Sequence, residues 1–170
     1  NAILPHKLAA ICAEVDTRLI LISSDCVFLG NIGDYTEASA PDAEDSYGLS
    51  KRLGEISDLP NVLTLRTSII GHEHSSKVSL LEWFLNSKNQ VAGYVNAYFS
   101  GLTTCTLSSV ILQYCIGNKE LNGLYHVSSE KISKYMLLNL IREVYMVNID
   151  IIRDEGFIID RSLASEKFNS

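Results

Sequence analysis

Three features of the sequence predict an α/β fold built on a mostly parallel sheet. Short, continuously apolar runs recur along the chain, segments with helical spacing alternate with them, and 46% of the 170 residues are hydrophobic, enough for a substantial core. The first element is a helix: Leu4, Leu8, Ile11, Cys12 and Val15 fall at i, i+4, i+7, i+8 and i+11, with Pro5 tolerable in its first turn. Residues 18–24, RLILISS, read as a strand apolar on both faces, as in a parallel sheet covered by helices. A polar stretch rich in Gly, Asp and Glu then runs from Asp25 to Asp45. A helix is expected from about Ser46, and residues 61–68, NVLTLRTS, form the next strand.

Farther on, Leu107, Val110, Ile111, Tyr114 and Cys115 repeat the helical spacing, with Thr103 or Thr104 as the N-cap. Residues 123–128, GLYHVS, are the next strand. Ser133 caps a helix that carries Leu137, Leu140, Ile141 and Val144 on one face, and residues 148–152, NIDII, close the series as a strand. No internal repeat, low-complexity segment or linker interrupts this order.

Composition excludes several classes. The formal charge of −6, with no basic stripe, argues against nucleic-acid binding. No apolar run approaches the roughly 20 residues that span a membrane, and the first residues carry no export signal, so a cytoplasmic setting is expected. Cys12, Cys26, Cys105 and Cys115 form no CxxC pair and read as reduced thiols packed in apolar segments. His72 and His74 flank Glu73 in GHEHSS (71–76), but without further ligands at metal spacing, and no metal is expected.

Other residues have ordinary structural readings. His126, inside an apolar strand, is read as a hydrogen-bonded core histidine, and Trp83 and Phe84 as packing against the sheet. Asp34, Glu37, Asp42, Glu44 and Asp45 form an acidic run read as a solvated loop. Arg66 ends a buried strand, where an unpaired charge is costly, so it needs a carboxylate; Glu55 is the candidate.

The chemistry centres on SYGLSK (46–51). Tyr47 and Lys51 are four residues apart, about one helical turn, so both project from one face. A phenol with a free pKa of about 10 is a poor base at neutral pH, whereas a nearby ammonium favours the phenolate. Such a pair exchanges protons with a bound oxygen. The spacing alone is weak: eight tyrosines and eight lysines in 170 residues give about 0.4 such pairs by chance. Ser24 strengthens it, because residues at the carboxyl ends of parallel strands are where open α/β sheets place their sites. A hydroxyl there would hydrogen-bond the oxygen that the tyrosine protonates.

The surrounding motifs carry a resemblance. Ser23-Ser24-Asp25, Val27-Phe28, Gly30, Gly33-Asp34-Tyr35-Thr36-Glu37, Tyr47-Gly48-Leu49-Ser50-Lys51 and Gly54-Glu55 follow one another as in an extended short-chain dehydrogenase/reductase. Together with LRTSIIG (65–71), GLTT (101–104), GLYHVSS (123–129) and DRSL (160–163), this order most resembles the dTDP-4-dehydrorhamnose reductase group of nucleotide-sugar reductases. The group usually has threonine where Ser24 stands, which conserves the hydroxyl.

The resemblance implies the carboxyl-terminal part of a Rossmann-type parallel sheet with a small substrate-binding subdomain. Residues 1–70 would hold the Rossmann half with the catalytic set, and residues 71–170 the remaining Rossmann elements and the subdomain. It implies reduction of a 4-keto nucleotide-diphosphate sugar with NADP or NAD. Tyr47 would protonate the keto oxygen, Lys51 would tune Tyr47 and hold the nicotinamide ribose, and Ser24 would polarise the carbonyl. Asn1 matches an asparagine with a structural or proton-relay role. Tyr47, Lys51, Thr67, Ser68, Ile69 and Ile70 would approach the cofactor. Ser24, Asp25, Cys26, Trp83 and Thr103 would contact the sugar nucleotide, and a homodimer is the candidate assembly.

The chain has no GxGxxG or GxxGxxG, so roughly the first 80–90 residues of such an enzyme are expected to be missing, and with them tight binding of the dinucleotide. Two alternatives accompany this reading. One is a non-catalytic regulatory homologue resembling the methionine adenosyltransferase regulatory subunit; the other is an epimerase. Dehydratases of the superfamily carry Asp-Glu after the hydroxyl residue, whereas Asp25-Cys26 stands here, which disfavours dehydration.

Overall fold

The computed structural model describes residues 1–74 and 78–170. In chain order the elements are α1 (Ile3–Glu14), β1 (Leu19–Ser24), a 3₁₀ turn (Asp25–Val27), α2 (Ser46–Leu53), β2 (Val62–Thr67) and β3 (Ile69–Ile70). Then follow α3 (Leu80–Leu85), β4 (Gln90–Phe99), β5 (Leu102–Thr103), α4 (Thr104–Val110) and its π-helical continuation (Ile111–Cys115). The last are β6 (Gly123–His126), β7 (Ile132–Ser133), α5 (Lys134–Tyr145), β8 (Asp150–Asp160) and α6 (Glu166–Asn169).

The first sheet has strand order β1-β2-β6 and is parallel throughout. Its middle strand, β2, is buried at every position, including Thr64, Arg66 and Thr67, because strands pair with it on both sides. Leu63 and Leu65 pack with Leu107, Cys115 and Val127 under α4. A second sheet, β7-β4-β8, pairs β4 with β8 in parallel and with β7 antiparallel. Leu81, Phe84, Val91, Leu138, Ile141 and Ile149 form the core between that sheet and helices α3 and α5. Two expected caps are present: the Thr103 and Ser133 hydroxyls accept from the Thr106 and Met136 amides at 3.0 and 3.2 Å.

The structure departs from the sequence reading in several places. The outward stripe of α1 is the predicted apolar one: Leu4, Leu8, Ile11 and Val15 are exposed, while Ala9 packs with Ile56 and Val62. Small residues take that face because the helix lies close to its neighbours; a Cβ on Gly54 would lie 3.1 Å from Pro5 Cγ of α1. Strand β4 has no sequence counterpart above, because Gly93 and Asn96 and a register shift between Tyr94 and Asn96 break its alternation. Strand β8 runs on to Asp160, its polar residues tolerated on the outer strand of the sheet. Only Phe84 of the Trp83-Phe84 pair packs inside; Trp83 is 42% exposed, because consecutive helical positions are rotated by about 100° and only one of the two faces the core.

The acidic run is likewise more than a solvated loop. Its carboxylates accept from backbone amides that the loop leaves unpaired: Glu37 from His126 N at 2.7 Å, Asp42 from Leu29 N at 2.7 Å, and Asp45 from Gly48 N at 2.9 Å. Asp34 pairs with Lys131 at 2.6 Å. The cysteines are all free, but only Cys115 is fully buried. Cys105 is exposed on the first turn of α4, where helix direction rather than local hydrophobicity decides which side chains turn inward.

Candidate active site

All three strands of the first sheet end at one edge, with Ser24 opposite Thr67 and Arg66 opposite His126. At that edge Ser24 starts the 3₁₀ turn. Its Oγ accepts from the Cys26 amide at 3.1 Å and donates to Asp25 Oδ1 at 3.1 Å. Burial pushes the Asp25 carboxyl above the usual carboxylate range, against hydrogen bonds from Ser24, Cys26 and Ser68 and the charge of Arg161. Burial also raises the Cys26 thiol, with Asp25 adding to the effect. Arg161 Nη1 reaches Cys26 Sγ at 3.4 Å.

Helix α2 brings SYGLSK to the same edge. Asp45 caps it, and Gly48 lets it lie directly on the 3₁₀ turn: a Cβ there would meet Cys26 O at 2.3 Å and Ala43 Cβ at 2.5 Å. Tyr47 is 52% exposed at the mouth of the cleft. Lys51 Nζ donates to the Ile22 carbonyl at 2.7 Å. Burial pulls Lys51 below the usual lysine range, and Glu55 pushes back. Asn1 Nδ2 donates to Ser50 Oγ at 3.5 Å, and that hydroxyl donates to the Tyr47 carbonyl at 2.8 Å.

Eight of the sequence-predicted site residues therefore share one cleft of about 300 Å³: Ser24, Asp25, Cys26, Tyr47, Lys51, Thr67, Ser68 and Ile69. Ile70 and Thr103 line a neighbouring apolar groove of about 350 Å³ instead. Trp83 lines neither. His72 is engaged elsewhere, between Glu82 Oε1 at 2.6 Å and the Tyr145 hydroxyl at 2.8 Å. Among the described residues no His, Cys, Asp and Glu group could hold a metal ion. Ser75 and Ser76 of the GHEHSS motif lie outside those residues.

Beneath the cleft lies a buried polar network. Arg66 Nε and Nη2 each donate to Glu55 at 2.8 Å, the pairing expected from the sequence. Ser23 Oγ donates to Glu55 Oε1 at 2.6 Å. His126 Nδ1 donates to the Tyr35 carbonyl at 2.9 Å, so its Nε2 accepts from Arg66 Nη1 at 3.2 Å. Burial holds His126 below the ordinary histidine range, as befits a core histidine between an acceptor and a cation. Phe28 stacks on Tyr35 at 4.0 Å and lies under the Arg66 guanidinium. Sequence reasoning did not place Ser23, the Ile22 carbonyl or Arg161 here. Asp45 was readable as an N-cap ahead of a helix; Arg161 had no local signal, being 135 residues from Cys26.

The model of the RmlD substrate binding domain matches residues 1–153. The chain belongs to that family. A hypothetical dTDP-4-dehydrorhamnose reductase from Sulfolobus tokodaii superposes with a TM-score of 0.80 at 26% identity, over 99% of this chain and 63% of that one. The dTDP-4-dehydrorhamnose reductase of Bacillus anthracis, in complex with NADP, gives 0.80 at 21% identity over 100% and 65%. WbmG of Bordetella bronchiseptica, in complex with NAD and UDP, gives 0.75 at 16% over 97% and 57%. The two comparisons below 25% identity speak for the fold alone. The chain thus spans less than two thirds of the length of these relatives. No curated protein matches its sequence.

Proposed function

We propose that this chain is the catalytic and substrate-binding part of an NADPH- or NADH-dependent reductase acting on a 4-keto nucleotide-diphosphate sugar. The observation that carries this reading is the convergence of Ser24, Tyr47 and Lys51 on one cleft at the carboxyl ends of parallel strands. Residues 1–70 supply the catalytic set and residues 71–170 the remaining sheet and the sugar-nucleotide subdomain.

The donor set fits the nicotinamide end of the cofactor. Lys51 and Tyr47 offer an ammonium and a hydroxyl for the ribose, and the segment Thr67–Ile70 lies beside them. When bound, the cofactor supplies the hydride. The chain's own part is the proton and the orientation. The Ser24 hydroxyl binds the keto oxygen and fixes the carbonyl against Tyr47. Tyr47 gives its phenolic proton to that oxygen as the carbonyl becomes an alcohol, and the Lys51 ammonium stabilises the phenolate left behind. Asp25 and Cys26 border the sugar.

The test follows NADPH oxidation by the intact protein with a panel of 4-keto nucleotide sugars. Tyr47→Phe is expected to lose turnover at least about 10²-fold, the scale of general-acid catalysis, while keeping cofactor affinity. Unchanged turnover in that variant overturns the proton-donor role. An intact protein that binds the cofactor yet turns over none of the sugars overturns the reductase reading.

A further inference from the structure

Two charged side chains near the end of α2 grip consecutive residues of β1. Lys51 Nζ donates to the Ile22 carbonyl at 2.7 Å, and Glu55 Oε1 accepts from Ser23 Oγ at 2.6 Å. Both also line one small cavity of about 30 Å³, together with Asn1 and Thr64. Glu55 is not free to move: Arg66 holds both of its oxygens, and the two side chains are only 10% and 3% exposed. A carboxylate so fixed keeps one position beside the cleft.

We propose that Glu55 is a positioning residue acting through Lys51: a carboxylate locked by Arg66 and Ser23 that keeps Lys51 cationic and seated on β1. This deepens the reading of Lys51 given above and rests on it. The physical need is clear. An ammonium that loses water tends to lose its proton, and Lys51 has been pulled in that direction by burial. A carboxylate one turn away on the same segment opposes the loss, and Glu55 is the group that does so. The other groups around Lys51 do not substitute for it. Tyr47 on α2 brings a hydroxyl, Asn1, just ahead of α1, brings an amide, and Arg66 on β2, which holds Glu55, is itself a cation. On the 3₁₀ turn, burial drives Asp25 and Cys26 towards their neutral forms.

The test needs no substrate. In the intact protein, ¹³Cε resonances of lysine are titrated with pH, and the Lys51 signal is identified by its loss in Lys51→Arg. In Glu55→Gln the Lys51 midpoint is expected to fall by about one pH unit. Ser23→Ala, which removes a hydrogen bond but keeps the carboxylate, is expected to leave it in place. If Glu55→Gln fails to fold, Glu55→Gln/Arg66→Met removes both charges of the buried pair and is expected to show a smaller fall, because a cation leaves with the carboxylate. The alkaline limb of kcat/KM should move with the NMR midpoint. An unchanged Lys51 midpoint in either folded variant overturns the proposal, as does an equal fall in Ser23→Ala. Absence of turnover in the parent would sink the reductase reading while leaving the titration result standing.

Discussion

Gly48 and Cys26 are in backbone contact: a Cβ on Gly48 would stand 2.3 Å from the Cys26 carbonyl oxygen, far inside van der Waals distance. This contact seats the helix carrying Tyr47 on the turn that follows Ser24. Gly48→Ala should therefore lift α2 and move Tyr47 away from Ser24. We expect a loss of about 1–3 kcal/mol in stability from overpacking, with a larger proportional loss in kcat. Denaturant midpoints and steady-state kinetics on one preparation separate the two effects. Full activity in the alanine variant would remove the contact from any account of the site.

Arg66 is the cation of the buried network, and its removal strands Glu55 in a nearly water-free position. Arg66→Ala is expected to cost about 3–5 kcal/mol, the usual result of breaking a buried pair from one side. The guanidinium also covers the Phe28 ring, so packing is lost with the charge. Urea unfolding monitored by circular dichroism measures this directly. A loss below about 1 kcal/mol, the range of surface pairs, would show that water reaches Glu55.

Much of this fold was readable from local pattern: Val62, Leu63 and Leu65 announce a strand, and Ser133 ahead of an amphipathic stretch announces α5. Burial on both faces falls to that strand and not to β1, where it was expected, because β2 is the middle strand and β1 lies at the sheet edge with Ile22 exposed. The shared cleft of Ser24, Tyr47 and Lys51 was readable because Tyr47 and Lys51 share a local helical period and Ser24 ends a strand. What stayed hidden was contact between distant segments. No local pattern reveals that Glu37 will accept from the His126 amide, 89 residues away, or that Arg161 will reach Cys26. The aliphatic stripe of α1 misled for a related reason: periodicity finds an apolar face but does not say which face the sheet contacts. Thr103 and Ile70 sit on motifs of the catalytic group yet line the neighbouring groove, because β3 and β5 pair with each other rather than with β1.

Ser24 differs by one methyl group from the threonine that the sequence resemblance leads one to expect at this position. If its hydroxyl is what the chemistry uses, Ser24→Thr should keep turnover within a few-fold and Ser24→Ala should lose about 10²-fold in kcat, the effect of removing one donor to a developing oxyanion. The alanine variant also loses the acceptor for the Cys26 amide, so a thermal melt accompanies the kinetics. Equal losses in the threonine and alanine variants would point to a packing role in place of a chemical one.

His126 gives the fold a stability that depends on pH in a defined direction. Its Nδ1 donates to the Tyr35 carbonyl and its Nε2 accepts from Arg66. A second proton on the ring would face a guanidinium N–H, and burial already disfavours the charge. The folded state therefore binds that proton only below the value of about 6.5 at which an unfolded histidine takes it up. Between those two values the unfolded chain holds more protons than the folded one, so stability rises with pH across the window and falls on acidification. Above about pH 6.5 the contribution is level. Replacing the imidazole by an amide in His126→Gln removes the titration, so the stability difference between parent and variant should change with pH only below about 6.5. Subtracting the two curves cancels the carboxylates, including Asp25, whose raised pKa gives a slope of the opposite sign at lower pH. Urea midpoints at half-unit intervals of pH measure the difference. A flat difference curve would mean that His126 takes its proton in the folded state as readily as in the unfolded one. In that case the Arg66 contact would have to open on protonation.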